Sequence, residues 1–275
     1  MPNTKVNITL LEHLDQHSDE MSERLAFRFL PDSRSLAIEL TYGQLRARAV
    51  AIAGALQSRV RPGDRVLLLL PSGIEFIETF LGCLYAGAIA VPLYPPRPNQ
   101  NFGRLATIYA NAMPTLAIAT VAQLPRLVAR CEADLSGAQL AWASVEELRE
   151  EGAAFNPIHP KSDGLAFIQY TSGSTAAPKG VVLTHRNIMH NQAQIQRAFG
   201  HDSTDHVMGW LPVFHDMGLI GNILQPLYLG IGCTLMSHLS FLQRPVRWLE
   251  AISKYKATTS GGAELCLPTL HTASE

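Results

Sequence analysis

The chain has 275 residues, of which 47% are hydrophobic and 16% are charged. A charged fraction this far below one quarter is typical of a globular chain with much buried surface and excludes a disordered one. The formal net charge of −1 gives no basic field that would attract nucleic acid or an anionic membrane.

The first elements alternate between helices and buried strands. Residues 41–44, TYGQ, form a capping box that predicts a helix with an apolar face through Leu45 and Leu56. Apolar runs at 65–70, 88–93 and 115–121 predict strands, and a second helix falls between the first two. This βαβ order predicts an α/β fold with mainly parallel sheets covered by helices.

The polar, turn-rich stretch at 150–164 predicts a connection between subdomains. We therefore expect a first α/β subdomain at 1–155 and the start of a second at 156–262. The N-terminal residues contain no uninterrupted apolar segment, so we expect no signal peptide and a cytoplasmic protein. Four scattered cysteines, at 83, 131, 233 and 266, predict buried reduced thiols and no zinc site or disulfide framework.

A polar loop follows this connection. Residues 171–180, TSGSTAAPKG, join an apolar run to a β-branched run. Small residues let backbone N–H groups converge on an anion, hydroxyls add donors, and the lysine adds charge. The loop differs from a Walker A motif, and its alternative interpretation is a solvated turn. The candidate phosphate-binding residues are Thr171, Ser172, Gly173, Ser174, Thr175, Lys179 and Gly180.

Two further stretches follow the loop. Residues 209–221, GWLPVFHDMGLIG, place the pair His215 and Asp216 in apolar surroundings. We expect a buried pair at a helix start, satisfied by local backbone, in preference to a hydrolase triad or a metal site. Residues 217–236 lack charge over nearly a membrane-spanning length, but Pro226 and four glycines favour a buried helix followed by a buried strand and no transmembrane segment.

Several blocks carry a family resemblance. Residues 170–187, YTSGSTAAPKGVVLTHRN, resemble the signature loop of the adenylate-forming (AMP-binding) acid ligase superfamily, which includes acyl-CoA synthetases, luciferases and peptide synthetase adenylation domains. The blocks LTYGQL at 40–45 and LGCLYAGAIAVPLYPP at 81–96 also resemble it. The form LPVFHDMGLIGN at 211–222, followed by QPLYLG, resembles the fatty acyl-AMP ligases within it.

The resemblance implies a fold, a reaction and a site. The fold would be the layered, helix-covered sheets of the superfamily's large N-terminal region. The reaction would be ATP-dependent activation of a fatty acid to acyl-AMP, for transfer to an acyl carrier protein or a polyketide or peptide synthase module. Mg²⁺ would be held by the ATP phosphates, without a dedicated protein site. Lys179 and His215 would be catalytic, and the acyl and adenylate pocket would contain His215, Asp216, Met217, Gly218, Gly261 and Gly262.

The resemblance stops near residue 262, and residues 263–275 read as a divergent tail. The family's adenine-contacting block, ribose-binding Asp and small C-terminal domain have no counterpart, so we expect an incomplete N-terminal region. Because catalysis by positioning needs both ends of the nucleotide held, we expect little adenylation by this chain alone. Two alternatives stay open: an acyl-CoA synthetase of the same superfamily, and a non-catalytic protein that binds nucleotide or lipid.

Overall fold

The computed structural model describes residues 9–31, 36–96, 103–135, 139–171 and 178–262. These residues form a mixed α/β structure. The strands are β1 (Leu25–Leu30), β2 (Ile38–Thr41), β3 (Arg65–Leu68), β4 (Ile89–Pro92), β5 (Leu116–Ala119), β6 (Ala141–Ser144), β7 (Leu165–Thr171), β8 (Lys179–Thr184), β9 (His206–Gly209), β10 (Gly232–Met236) and β11 (Thr259–Ser260).

Helices alternate with these strands along most of the chain. They are α1 (Leu10–Glu20), α2 (Tyr42–Gln57), α3 (Ile74–Tyr85), α4 (Gly103–Ala112), α5 (Leu124–Asp134), α6 (Val145–Glu150), α7 (His185–Phe199), α8 (Asp216–Leu219), α9 (Gln225–Leu229), α10 (His238–Gln243) and α11 (Val246–Tyr255). A π-helical turn, Ile220–Leu224, joins α8 to α9 in one continuous helical run.

The chain contacts define two units, each built around one sheet. The unit formed by the described residues of 47–71 and 75–185 holds a sheet in the order β6-β5-β3-β4-β7-β8. Its neighbours are parallel except for the antiparallel pair β7 and β8. Residues Val66 to Leu70 and all of β5 are buried, as continuous apolar strands covered on both faces require. We call this the hairpin unit, because β7 and β8 form a hairpin.

The other unit comprises the described residues of 1–46, 72–74 and 186–275. Its sheet has the order β11-β9-β10-β1-β2, with β1 parallel to β10 and antiparallel to β2. Strand β1 thus pairs with a strand from the far end of the chain. Aromatic packing supports this sheet, because the Trp210 ring stacks on Phe241 with centroids 3.9 Å apart. We call this the cavity unit, after the cavity described below.

The mainly parallel, helix-covered α/β fold agrees with the sequence expectation. The contacts group the described residues of 47–71 and 75–185 in one unit, and the expected subdomain boundary at residues 155 and 156 stays a prediction. Strands β7 and β8 lie in the same sheet as β3 to β6, while β1 and β2 pair with strands of the later segment. Residues 263–275, the expected divergent tail, lie outside the described residues.

Three local predictions are confirmed. The hydroxyl of Thr41 accepts from the Gln44 amide at 3.3 Å, and the Gln44 side chain accepts from the Thr41 N–H at 3.1 Å, which is the predicted capping box. The uncharged stretch at 217–236 forms a helical run followed by strand β10. Cys83, Cys131 and Cys233 are buried free thiols, whereas Cys266 lies outside the described part. In that part, no helix is long and apolar enough to cross a membrane.

Candidate functional site

The predicted phosphate loop joins two paired strands. Strands β7 and β8 are antiparallel, and Thr171 stands directly opposite Lys179. Both residues are exposed, and opposite residues of such a pair have Cβ atoms about 5 Å apart. Ser172, Gly173, Ser174 and Thr175 lie outside the described residues. The described ends of the loop therefore present a hydroxyl and an ammonium group side by side.

Gly180, also predicted to bind phosphate, has a packing reason to be glycine. A Cβ at this position would come within 3.0 Å of both Ile168 and Tyr170. The Tyr170 hydroxyl donates to the side-chain oxygen of Asn111, which fixes the ring. Burial raises the pKa of the Tyr170 hydroxyl above its ordinary value of 10.0, so the phenol stays a neutral donor. Gly180 thus supports the hairpin next to Lys179.

Helix α7 begins at His185, directly after β8. The side chain is only 2% exposed, and its Nδ1 atom has no hydrogen-bond partner among the described residues. Burial disfavours the imidazolium and lowers the pKa of His185 from 6.5 to about 4. A neutral imidazole therefore lies at the end of the hairpin at neutral pH.

The cavity unit encloses a cavity of about 580 Å³, within the size range of small-molecule sites. Most of the wall surface is apolar, although eight of the sixteen lining residues carry polar side chains. The lining residues are Asn191, Ile195, Phe199, His201, Val207, Leu211, His215, Asp216, Met217, Ile220, Gly221, Asn222, Gln225, Thr259, Ser260 and Gly261. Four of the six residues predicted for the acyl and adenylate pocket are among them: His215, Asp216, Met217 and Gly261.

The pair His215 and Asp216 begins helix α8, as predicted, but it is not buried. His215 is the N-cap residue, and its side chain and that of Asp216 are 68% and 56% exposed. The imidazole Nδ1 lies 2.6 Å from the Asp216 carboxylate, which also accepts from the Met217 N–H at 2.6 Å. The expected burial was wrong, because the start of the helix turns both side chains outward. They are free to meet a ligand in the cavity.

The other two predicted pocket residues, Gly218 and Gly262, are not among those that line the cavity. A Cβ at Gly218 would lie 2.1 Å from the Pro212 carbonyl oxygen, so Gly218 lets α8 pack closely on the preceding chain. Gly209 plays the same part in β9, where a Cβ would lie 2.4 Å from the Asn222 side-chain nitrogen. Both glycines shape the wall from behind.

Sequence reasoning missed the part of the cavity wall that helix α7 contributes. Asn191, Ile195 and Phe199 recur at a spacing of four along α7 and share one helix face. The spacing of four could have indicated that these residues share a helix face, but the sequence alone does not show that this face lines a cavity. His201 is held in the wall by Thr259, with 3.1 Å between its Nε2 and the threonine hydroxyl.

Strand β11 closes the cavity wall from the sheet. The Ser260 hydroxyl donates to the Met208 carbonyl at 2.6 Å and accepts from the Trp248 indole N–H at 2.8 Å. These bonds fix a strand of two residues that pairs with β9. In the part of the chain described, no group of three or more histidine, cysteine, aspartate or glutamate side chains could hold a metal ion.

Comparison with known proteins identifies the family of this site. The sequence profile described as AMP-binding enzyme matches residues 14–266. Two curated relatives are medium-chain-fatty-acid–acyl-carrier-protein ligases. JamA of Moorena producens is 38% identical over 92% of this chain and 44% of its own length. TtuA of Teredinibacter turnerae is 36% identical over 93% of this chain and 46% of its own length.

A solved structure shows the same architecture. The fatty acyl-adenylate ligase from L. pneumophila, in complex with acyl adenylate and pyrophosphate, matches with a TM-score of 0.84 and 38% sequence identity. The match covers 94% of this chain and 44% of that chain. The present chain therefore spans less than half the length of the relatives that it matches.

Proposed function

The chain belongs to the AMP-binding enzyme family, and from this premise we propose that it carries the phosphate loop and acid pocket of a fatty acyl-AMP ligase. The observation that supports this most is the mainly apolar cavity, bordered by His215, in a chain 38% identical to a fatty acid ligase. The 170–187 motif adds the phosphate loop. This chain matches less than half of each relative. We therefore propose the complete reaction for a protein that also contains the part of the relatives that this chain does not match.

The β7–β8 hairpin would hold the β- and γ-phosphates of ATP. Thr171 and Lys179 lie opposite each other at its described ends, and both are exposed. Loop residues 172–175 would add hydroxyls and backbone N–H groups, as proposed from the sequence. The ammonium group would neutralise charge on the leaving pyrophosphate.

The cavity would hold the fatty acid. Ile195, Val207 and Leu211 offer an apolar wall for the carbon chain, and burial of apolar surface drives its binding. His215 and Asp216 would border the carboxyl end, because their exposed polar side chains line the same cavity. Met217 and Gly261 complete this border, while Gly218 and Gly262 would act through backbone packing and position.

The proposed reaction is an in-line displacement at phosphorus. A carboxylate oxygen forms a bond to the α-phosphorus, the bond from that phosphorus to the bridging oxygen breaks, and pyrophosphate leaves with the electron pair. Lys179 stabilises the leaving charge, and the cavity orients the acid. Mg²⁺ held by the phosphates would supply further neutralisation of the leaving charge.

The proposed acceptor is the thiol of an acyl carrier protein. The names of JamA and TtuA, both acyl-carrier-protein ligases at 36–38% identity, support this choice over coenzyme A. Supplying each thiol to preformed acyl-AMP separates the two candidates. Acylation of coenzyme A in preference to the carrier protein would contradict the proposal.

A chimaera tests the whole function. Residues 1–262 would be joined to the part of JamA that follows the matched region, and decanoate-dependent pyrophosphate release would be measured with ATP and Mg²⁺. We expect release above the rate without acid, and almost none from the 275-residue chain alone. A folded chimaera that binds ATP and decanoate without release would instead favour a non-catalytic binding protein.

A further inference from the structure

Gly221 differs from Gly209 and Gly218, two glycines that pack behind the cavity wall. A Cβ at Gly209 or Gly218 would collide with neighbouring atoms at 2.4 Å and 2.1 Å. A Cβ at Gly221 would meet nothing within 4 Å. Packing therefore explains the first two glycines and leaves the third unexplained.

Backbone conformation does not explain Gly221 either. It lies inside the helical run of α8, the π-helical turn and α9, and it is not among the glycines with positive φ. Glycine destabilises the interior of a helix relative to alanine, because it loses more backbone freedom on folding. An alanine would fit here without strain, so the sequence carries a destabilising residue with no structural benefit.

The open space at Gly221 belongs to the cavity. Gly221 lines it together with its neighbours Ile220 and Asn222, both from the π-helical turn. Such turns occur frequently at functional sites. A side chain at position 221 would project into space that the cavity now contains, because among the described residues no atom outside the helix's own backbone lies within 4 Å of that Cβ.

We propose that Gly221 sets the length of acid that the cavity accepts, and that the hydrocarbon chain of a fatty acid takes the space of the missing side chain. This inference rests on the proposed function. The substrates are then acids whose carbon chain is long enough to pass Gly221. A bulky residue there restricts the cavity to shorter acids, since each methylene kept out of it weakens binding roughly fourfold.

The test measures binding of n-alkanoates from octanoate to hexadecanoate to the 275-residue chain, by displacement of a fluorescent naphthylamine probe. We compare the parent with G221A, G221M and a control, Q194M, which adds the same side chain at an exposed position of α7 outside the cavity. We expect G221M to lose roughly 50-fold or more in hexadecanoate affinity and about twofold in octanoate affinity. Q194M should match the parent, and G221A should have a raised Tm.

A second variant avoids dependence on a bulky side chain. In a C266S background, G221C should react with N-ethylmaleimide, and hexadecanoate should protect it more than octanoate does. Parent-like length dependence in folded G221M, or equal protection by both acids, would overturn the role of Gly221 while leaving the fatty acid function intact. A parent chain without saturable alkanoate binding would overturn both.

Discussion

The β7–β8 hairpin and the cavity are built in opposite ways. The hairpin brings together residues that are close in the sequence, and its candidate ligand groups, Thr171 and Lys179, are exposed. The cavity gathers segments from α7, from the helical run that starts at Asp216 and from β11. A polar site formed by one turn can be recognised from a local sequence motif. An apolar site depends instead on packing between distant segments.

This difference predicts different responses to mutation. Exposed hairpin side chains contribute binding without supporting the core, so their loss should change affinity and leave stability nearly constant. Residues behind the cavity wall are closely packed against their neighbours, so substitutions there should mainly lower the free energy of unfolding.

The largest expected effect is on stability, at Gly218. G218A forces a Cβ to within 2.1 Å of the Pro212 carbonyl oxygen, and overpacking of this kind costs about 3 kcal/mol. G221A in the same helical run is the matched control, because its Cβ meets nothing within 4 Å, and its free energy of unfolding should rise by up to about 1 kcal/mol. Urea unfolding of G218A, G221A and the parent measures both changes. Equal stability of the two variants would contradict this account of the wall.

The next effect concerns nucleotide affinity at the hairpin. K179A should weaken ATP binding to the 275-residue chain roughly 10- to 100-fold, because a charge-assisted contact to phosphate is lost. Calorimetric titration with Mg·ATP measures this, and K179R should restore part of it. K161A removes another exposed lysine of the same unit and should bind as the parent does. If K179A and K161A bind alike, the hairpin is an ordinary solvated turn.

Sequence reasoning succeeded where short-range patterns decide the structure. The capping box of Thr41 and Gln44 and the apolar runs on both sides of the phosphate loop were sufficient for their elements. Burial of the pair His215 and Asp216 was predicted wrongly, because apolar neighbours in the sequence do not reveal which way a helix start faces. The α7 wall and the pairing of β1 with β10 depend on contacts that no local pattern encodes.

A smaller effect links the hairpin unit to pH. The folded pKa of His185, about 4, lies below its ordinary 6.5 because of burial, so the unfolded chain binds more protons between these values. The contribution of neutral His185 to the free energy of unfolding is fully present above pH 6.5 and is lost as the pH drops towards 4. Between pH 7.5 and 5.0 this loss amounts to roughly 2 kcal/mol. H185N should flatten that dependence in urea unfolding. The remaining slope includes His13, whose pKa burial also lowers to about 4.

The same substitution at exposed His190, on the same helix, controls for the loss of a histidine as such. Should H185N keep the full pH dependence of the parent, the buried neutral imidazole would have no part in it.

The smallest stability effect should be at His215. The His215–Asp216 pair is more than half exposed, and pairs of this kind contribute about 0–1 kcal/mol, so H215A should unfold within about 0.5 kcal/mol of the parent. Its decanoate affinity should nevertheless fall roughly fivefold, the value of one hydrogen bond to the acid's carboxylate. Probe displacement measures the second quantity. If the backbone of His215 only begins α8, the substitution should alter neither the free energy of unfolding nor the decanoate affinity. Unchanged affinity in H215A would therefore contradict a role of this side chain in binding the acid.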